Sequence, residues 1–287
     1  METGTEIMKM DDMDAIVAAM DADNDEALMA ASGQMVKQTG QKGLPRININ
    51  YDAETDDGVS LPRGSWKMYV DGRFIYAEEV TIRPLLRTFE YSVWDQENNT
   101  FSSKSVQKTE LSGMFPDTIG TNKCGRLTRE EEDRLDKDDV AYLNSRASSC
   151  NQILYSKVSG TFKDAEGTEV VLDEEPVVAY FKRSGFIPMN NFINNLSKQD
   201  KLMQKCNITL GTSKHKKGSV TYWTPNPVLK DTISVLSSDD KELAAKFVET
   251  VKAHNETVMN QHREAVKLLA DDDDTDLAAD FDNANAA

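Results

Sequence analysis

Two short stretches set flat aromatic rings beside cations. In AYFKRSGF, Tyr180, Phe181 and Phe186 flank Lys182 and Arg183. In SKHKKGSVTYWTP, Lys214, Lys216 and Lys217 precede Tyr222 and Trp223. A third stretch, RPLLRTFEYSVW, carries Arg83, Arg87, Phe89, Tyr91 and Trp94, and in a strand Arg87, Phe89 and Tyr91 would share one face. Such side chains suit a ligand that alternates planar rings with negative charge. Cations follow the phosphates of a single nucleic-acid strand, and each base stacked on an aromatic face contributes ~1–3 kcal/mol. The same residues also have a plainer use. Strand alternation sends half of the aromatics inward, a role that suits Phe89, Phe181 and Phe192, and lysines at a hairpin tip keep it solvated.

Catalytic patterns fail on spacing. GTSKHKKG ends in Gly218-Ser219 and lacks the lysine that a phosphate-binding loop needs after its second glycine. No dinucleotide-type glycine pattern follows a strand. Cys124, Cys150 and Cys206 form no C-x-x-C pair, and their odd number at wide spacing fits reduced thiols in a cytosol. His254 and His262 stand two helical turns apart, a rise of ~12 Å, too far to share a metal. His215 sits in a lysine-rich turn. Asp21, Asp23 and Asp25 mimic the start of a calcium loop, but Glu26 and Ser32 replace its glycine and its bidentate glutamate. No cofactor, metal or catalytic residue is therefore expected.

Net charge supports the first reading once it is divided along the chain. The total is −16. Residues 1–43 carry −6 and residues 271–287 carry −7, which leaves −3 for 44–270, and within that part 176–236 carries +7. A basic segment lies between acidic ends. The N-terminus METGTEIMKMDDMD lacks a basic start followed by an apolar run, so no signal peptide is expected. No apolar window approaches the ~20 residues of a membrane helix, and the expected location is the cytoplasm.

The elements that must position these residues are mainly β, with added helices. Residues 1–43 read as an acidic arm, weakly helical or disordered. From Pro45, RININYD, WKMYV and RFIYAEEVTI read as strands, with turns at Asp56–Gly58 and Asp71–Gly72. LLRTFEYSVWD, FSSKSVQK, NQILYSKVSGTF and EVVLDEEPVVAYFK follow. Thr128 and Glu131 form a capping box that predicts a helix over 128–146, and a short helix should follow Pro188. A hairpin turning at HKKG closes the region. Several strands with one inserted helix, over 44–236, suggest an α+β unit built on an OB-like Greek-key barrel, with a β-sandwich as the competitor. Over 237–270, Leu243, Phe247, Val251, His254, Val258, Ala265 and Leu269 mark one face of a helix capped by Ser238 or Asp239. That stripe serves core packing or a homodimer seam.

The chain ends in DDDDTDLAADFDNANAA, read as a disordered acidic tail over 271–287 with one hydrophobic residue, Phe281. This end resembles the acidic tails of bacterial and phage single-stranded-DNA-binding proteins, although six residues follow Phe281 where that family has its hydrophobic tip at or near the end. GLPRININYD, RPLLRTFEYSVWD, FPDTIGTNKCGRL and the KHKKG hairpin, over roughly 43–230, resemble a group of tailed-phage proteins associated with single-stranded-DNA binding and an OB-like core. The resemblance implies a host-cytoplasmic, non-enzymatic protein of phage DNA replication and recombination. It also implies that Asp271, Asp272, Asp273, Asp274 and Phe281 recruit replication proteins and compete with DNA for the basic groove. The alternatives are a virion or scaffold-type interaction protein and a metal-dependent nuclease.

Overall fold

Nine strands form one sheet in the computed structural model, which describes residues 43–55, 58–95, 98 and 100–284, the last of these (270–284) as backbone only. Met1–Gly43 and Leu44–Ala287 are separate units. The expected acidic arm and its calcium-like segment fall in residues 1–42, outside the described residues, as do Asp56 and Asp57 of the first expected turn. The strands are β1 (Arg46–Ile49), β2 (Trp66–Val70), β3 (Arg73–Ala77), β4 (Val80–Asp95), β5 (Thr100–Lys104), β6 (Ser149–Asp164), β7 (Glu169–Lys182), β8 (Cys206–Lys217) and β9 (Val220–Thr232). Helices are α1 (Arg129–Glu132), α2 (Val140–Ala147), α3 (Phe186–Lys198) and α4 (Ser238–Ala284). The fold is mainly β with added helices, as the residue pattern predicts.

The sheet runs β3-β2-β1-β7-β6-β4-β8-β9, with β5 paired to β4. All pairings between strands are antiparallel except β1 with β7. β3 also pairs with β6, through Ile75 opposite Asp164 and Tyr76 opposite Lys163, so β3, β2, β1, β7 and β6 close a circuit. Alternate residues of these strands, among them Trp66, Met68, Ile75, Phe162, Val177 and Phe181, form the largest core. Burying each such side chain stabilises by roughly 1.5–3 kcal/mol. The Trp66 indole N–H, which could not be left unpaired there, donates to the Leu210 carbonyl at 2.8 Å. Met189, Ile193 and Leu196, spaced for one helix face, bring α3 onto the same core. Pro188 falls in the first turn of α3, where its missing N–H costs no helical hydrogen bond.

Two helical expectations need correction. The capping box of Thr128 and Glu131 is present, yet α1 ends at Glu132 and α2 starts only at Val140. Asp139 takes the hydrogen bond of the Ala141 N–H at 2.7 Å and caps a new helix. An aspartate offering that local acceptor competes with continuing the earlier one. The final hairpin turns at Gly218-Ser219, not over HKKG, with Lys217 paired to Val220. Gly218 takes a positive φ of 61° there.

The cap of α4 is Ser237, not Ser238 or Asp239. Its hydroxyl accepts from the Asp240 N–H at 3.0 Å while the Asp240 carboxylate accepts from the Ser237 N–H at 3.1 Å. The predicted stripe packs against the β unit rather than forming an open seam. Leu243, Phe247 and Val251 meet Leu85, Ile153 and Tyr155. Val258 joins Phe89, Tyr91 and Phe115. His254 donates to the Ser105 carbonyl at 3.0 Å, and Asn255 exchanges two hydrogen bonds with the Gln107 backbone at 2.7 and 2.9 Å. Ala265 and Leu269 cover Gly120, where an added Cβ would come within 3.2 Å of both side chains. The helix then continues to Ala284, so Asp271–Asp274 and Phe281, expected in a disordered tail, are helical along the backbone. Leu277, Ala278 and Ala279 are good helix formers, and extending a helix that already has docked turns needs no new nucleus.

Candidate nucleic-acid interface

β1 and β7 pair only through Arg46 with Val178 and Ile47 with Ala179. Beyond that point Asn48 and Ile49 on one side, and Tyr180, Phe181 and Lys182 on the other, line a cleft of about 380 Å³. Trp223 of β9, Tyr51 after β1, and Arg183 to Gly185 complete its walls. Two of the three aromatic and basic stretches therefore meet in one concavity, though they lie about forty residues apart in sequence.

Trp223 is only 8% exposed and is held from several sides. Tyr51 meets it edge-on at 5.9 Å between ring centroids and donates its hydroxyl to the Trp223 carbonyl at 3.0 Å. The guanidinium of Arg63 lies 5.4 Å from the indole centroid and the ammonium of Lys214, directly opposite on β8, lies 5.9 Å from it. Gly64 lies against the indole. Its φ of +85° and the 2.2 Å at which an added Cβ would meet Trp223 Nε1 both exclude a side chain there. Tyr51 is 47% exposed and lines the cleft wall.

The electrostatics are one-sided. Burial lowers the Lys182 pKa, and the nearby charges of Arg183 and Arg46 lower it further. The Arg46 guanidinium lies 4.1 Å from the Tyr180 ring centroid. Among the described residues, none of Arg46, Lys182 and Arg183 forms an ion pair with a carboxylate. Arg46 has the Glu90 carboxylate within electrostatic reach, whereas Lys182 feels only like charges, and an anion entering the cleft beside it relieves that repulsion. Arg183 also adopts a φ of 50°, a region that non-glycine residues enter at a cost.

The remaining predicted residues divide. Arg83 is not a ligand-binding residue. It is 7% exposed, and its Nη2 contacts Glu174 at 2.7 Å and Asp240 at 2.8 Å. Arg87 is tied to Asn190 and Asn194 of α3 and lies 4.6 Å from the Phe89 ring centroid. Tyr91 packs edge-on against Phe115 at 5.1 Å, and burial pushes its phenol up to about 12. In each case the sheet uses the outward-looking residue types of RPLLRTFEYSVW to seat helices. Trp94 is 44% exposed but stands on the β4–β5 hairpin against Phe101, outside the cleft. Tyr222 stacks on His215 at 5.2 Å on the opposite face of the hairpin from Trp223. Lys216 shares the face of Trp223, and Lys217 that of Tyr222; both are exposed. Phe186, half-buried, lines a neighbouring cleft. Asp271, Asp272, Asp273, Asp274 and Phe281 have only their backbone described.

The sequence reading missed Arg46, Tyr51 and Arg63. RININY carries Arg46 and Tyr51, the same pairing of cation and aromatic seen elsewhere, five residues apart rather than adjacent. No sequence family, characterised protein or solved structure matches this chain. Among the described residues no three His, Cys, Asp or Glu side chains gather as metal ligands, and no helix is long and apolar enough to cross a membrane. All three cysteines are free, Cys124 and Cys206 buried and Cys150 half-buried.

Proposed function

We propose that the protein binds single-stranded DNA without catalysing a reaction, in the replication or recombination of phage DNA in the host cytoplasm. One observation carries this reading. The cleft between β1 and β7 sets the half-exposed Tyr51 and the edge of the buried Trp223 beside Lys182 and Arg183, neither of which forms an ion pair among the described residues. Stacking supplies affinity for unpaired bases, and the cations supply affinity for phosphates. The closed circuit of β1, β2, β3, β6 and β7 has five strands, the number of a small OB-type barrel, and the reading takes it as an OB-like core extended by β4, β5, β8 and β9. The acidic C-terminal segment, Asp271–Asp274 with Phe281, is read as a competitor for the basic cleft and a handle for replication proteins.

Titration of a labelled dT oligonucleotide of about 30 nucleotides and of the matching duplex, each at two salt concentrations, tests this. Preference for the single strand with a negative salt slope is expected, since stacking on aromatic rings needs unpaired bases. Equal affinity for both forms would sink the preference for single strands, and no affinity for either would leave an interaction or scaffold protein as the better account.

A further inference from the structure

Arg183 lines two cavities. Its second, of about 500 Å³, lies between the α2–β6 junction and the start of α3, and includes Arg126, Arg146, Cys150 and Phe186. Resting on the single-strand reading above, we propose that the bound strand continues over Arg183 into this second cleft, where Arg126 and Arg146 hold its next phosphates.

The lining has the chemistry of a phosphodiester seat. Arg126 donates one N–H to the Ser148 carbonyl at 2.9 Å, which fixes the guanidinium while its other donors remain. Arg146 is 62% exposed and forms a loose ion pair with Glu132 at 3.7 Å, longer than a hydrogen bond, so a phosphate can compete for its donors. Ile187 is 64% exposed and Phe186 half-buried beside it, an apolar strip along a cationic wall. Burial pushes the Cys150 thiol up to about 11, so no thiolate opposes an anion at neutral pH. Arg183, in its left-handed backbone conformation, sits at the junction as the shared cation.

Length dependence separates the two clefts. Binding of dT oligonucleotides of roughly 4 and roughly 16 nucleotides, the range of site sizes seen for one OB fold, is measured with the full chain and with Arg146→Gln. The variant should leave the short oligonucleotide unchanged, weaken the long one several-fold, and reduce its salt slope by about one unit. Arg146→Lys, which keeps the charge, should restore the slope. Arg183→Gln should weaken both lengths. Unchanged binding of the long oligonucleotide by Arg146→Gln, or equal losses at both lengths, would overturn the second cleft and leave the first intact. If neither length binds the unaltered chain, the single-strand reading fails and this inference falls with it.

Discussion

Two clusters of cations sit on one sheet with opposite fates. At the start of α4, Arg83 and Lys157 share Asp240 and Glu174: Lys157 reaches Asp240 at 2.7 Å and Glu174 at 3.0 Å. At the end of β7, Lys182 and Arg183 form no ion pair among the described residues, and Arg46 nearby has only the longer-range attraction of Glu90. The first cluster is neutral within itself and fastens a helix. The second has charge left for a ligand. Residue type does not distinguish them; the supply of counter-charge does.

The largest expected effect lies in the first cluster. Asp240→Asn leaves two buried cations sharing only the half-exposed Glu174 and should destabilise the fold by about 3–5 kcal/mol in a denaturant titration. Its single-strand salt slope should stay unchanged. A slope that fell with it would mean the clusters are coupled, and the contrast between them would break.

Acid sharpens the same point. Burial alone would raise the Asp240 pKa, but hydrogen bonds from Lys157 and Ser237 and the charge of Arg83 outweigh it and hold the carboxyl at about 2. A folded pKa below the unfolded value of ~3.9 stabilises fully above that value and is lost as pH falls toward 2. The stability gap between the unaltered chain and Asp240→Asn should therefore narrow by on the order of 2 kcal/mol between pH ~4 and ~2. A gap independent of pH in that window would remove the carboxylate from the explanation.

In the second cluster the losses should appear in binding rather than stability. Tyr51→Ala should weaken single-strand binding by about 1–3 kcal/mol, while Tyr51→Phe, which keeps the ring, should retain most of it. Lys182→Gln should lower the salt slope by about one unit with little change in melting temperature. Arg83→Gln should do the reverse. The smallest effect belongs to the acidic segment. Replacing Asp271, Asp272, Asp273 and Asp274 by Asn in the full chain should tighten binding modestly, and only at low salt, where the Debye length reaches ~30 Å at 0.01 M. Unaltered affinity at every salt would leave those residues no part in the cleft.

The stripe of α4 was legible in the sequence because helical spacing and apolar character coincide from Leu243 to Leu269. Most strands were legible because alternation and turn residues agree. The aromatic and basic stretches were legible as a type of chemistry but not as a site. Nothing local distinguishes Arg83 from Arg183; the carboxylate that claims Arg83 lies 157 residues away. Tyr91 and Trp223 also look alike on paper. Both are buried, the first against Phe115 and the second under Tyr51 and Gly64, and only the second borders the cleft made where β1 and β7 part, a tertiary fact.

The Asp240 contact also orders events during synthesis. Arg83 and Lys157 belong to strands that pair with each other, and of the two carboxylates they share, Glu174 comes with β7 while Asp240 comes only with α4. While residue 240 is still inside the ribosome, the sheet holds two cations with only the half-exposed Glu174 between them, which cannot be covered at low cost. The β unit should thus stay protease-sensitive on a nascent chain stalled before Ser237 and become resistant once α4 has emerged, which makes the arrival of α4, rather than closure of the sheet, the step that commits it to the native state.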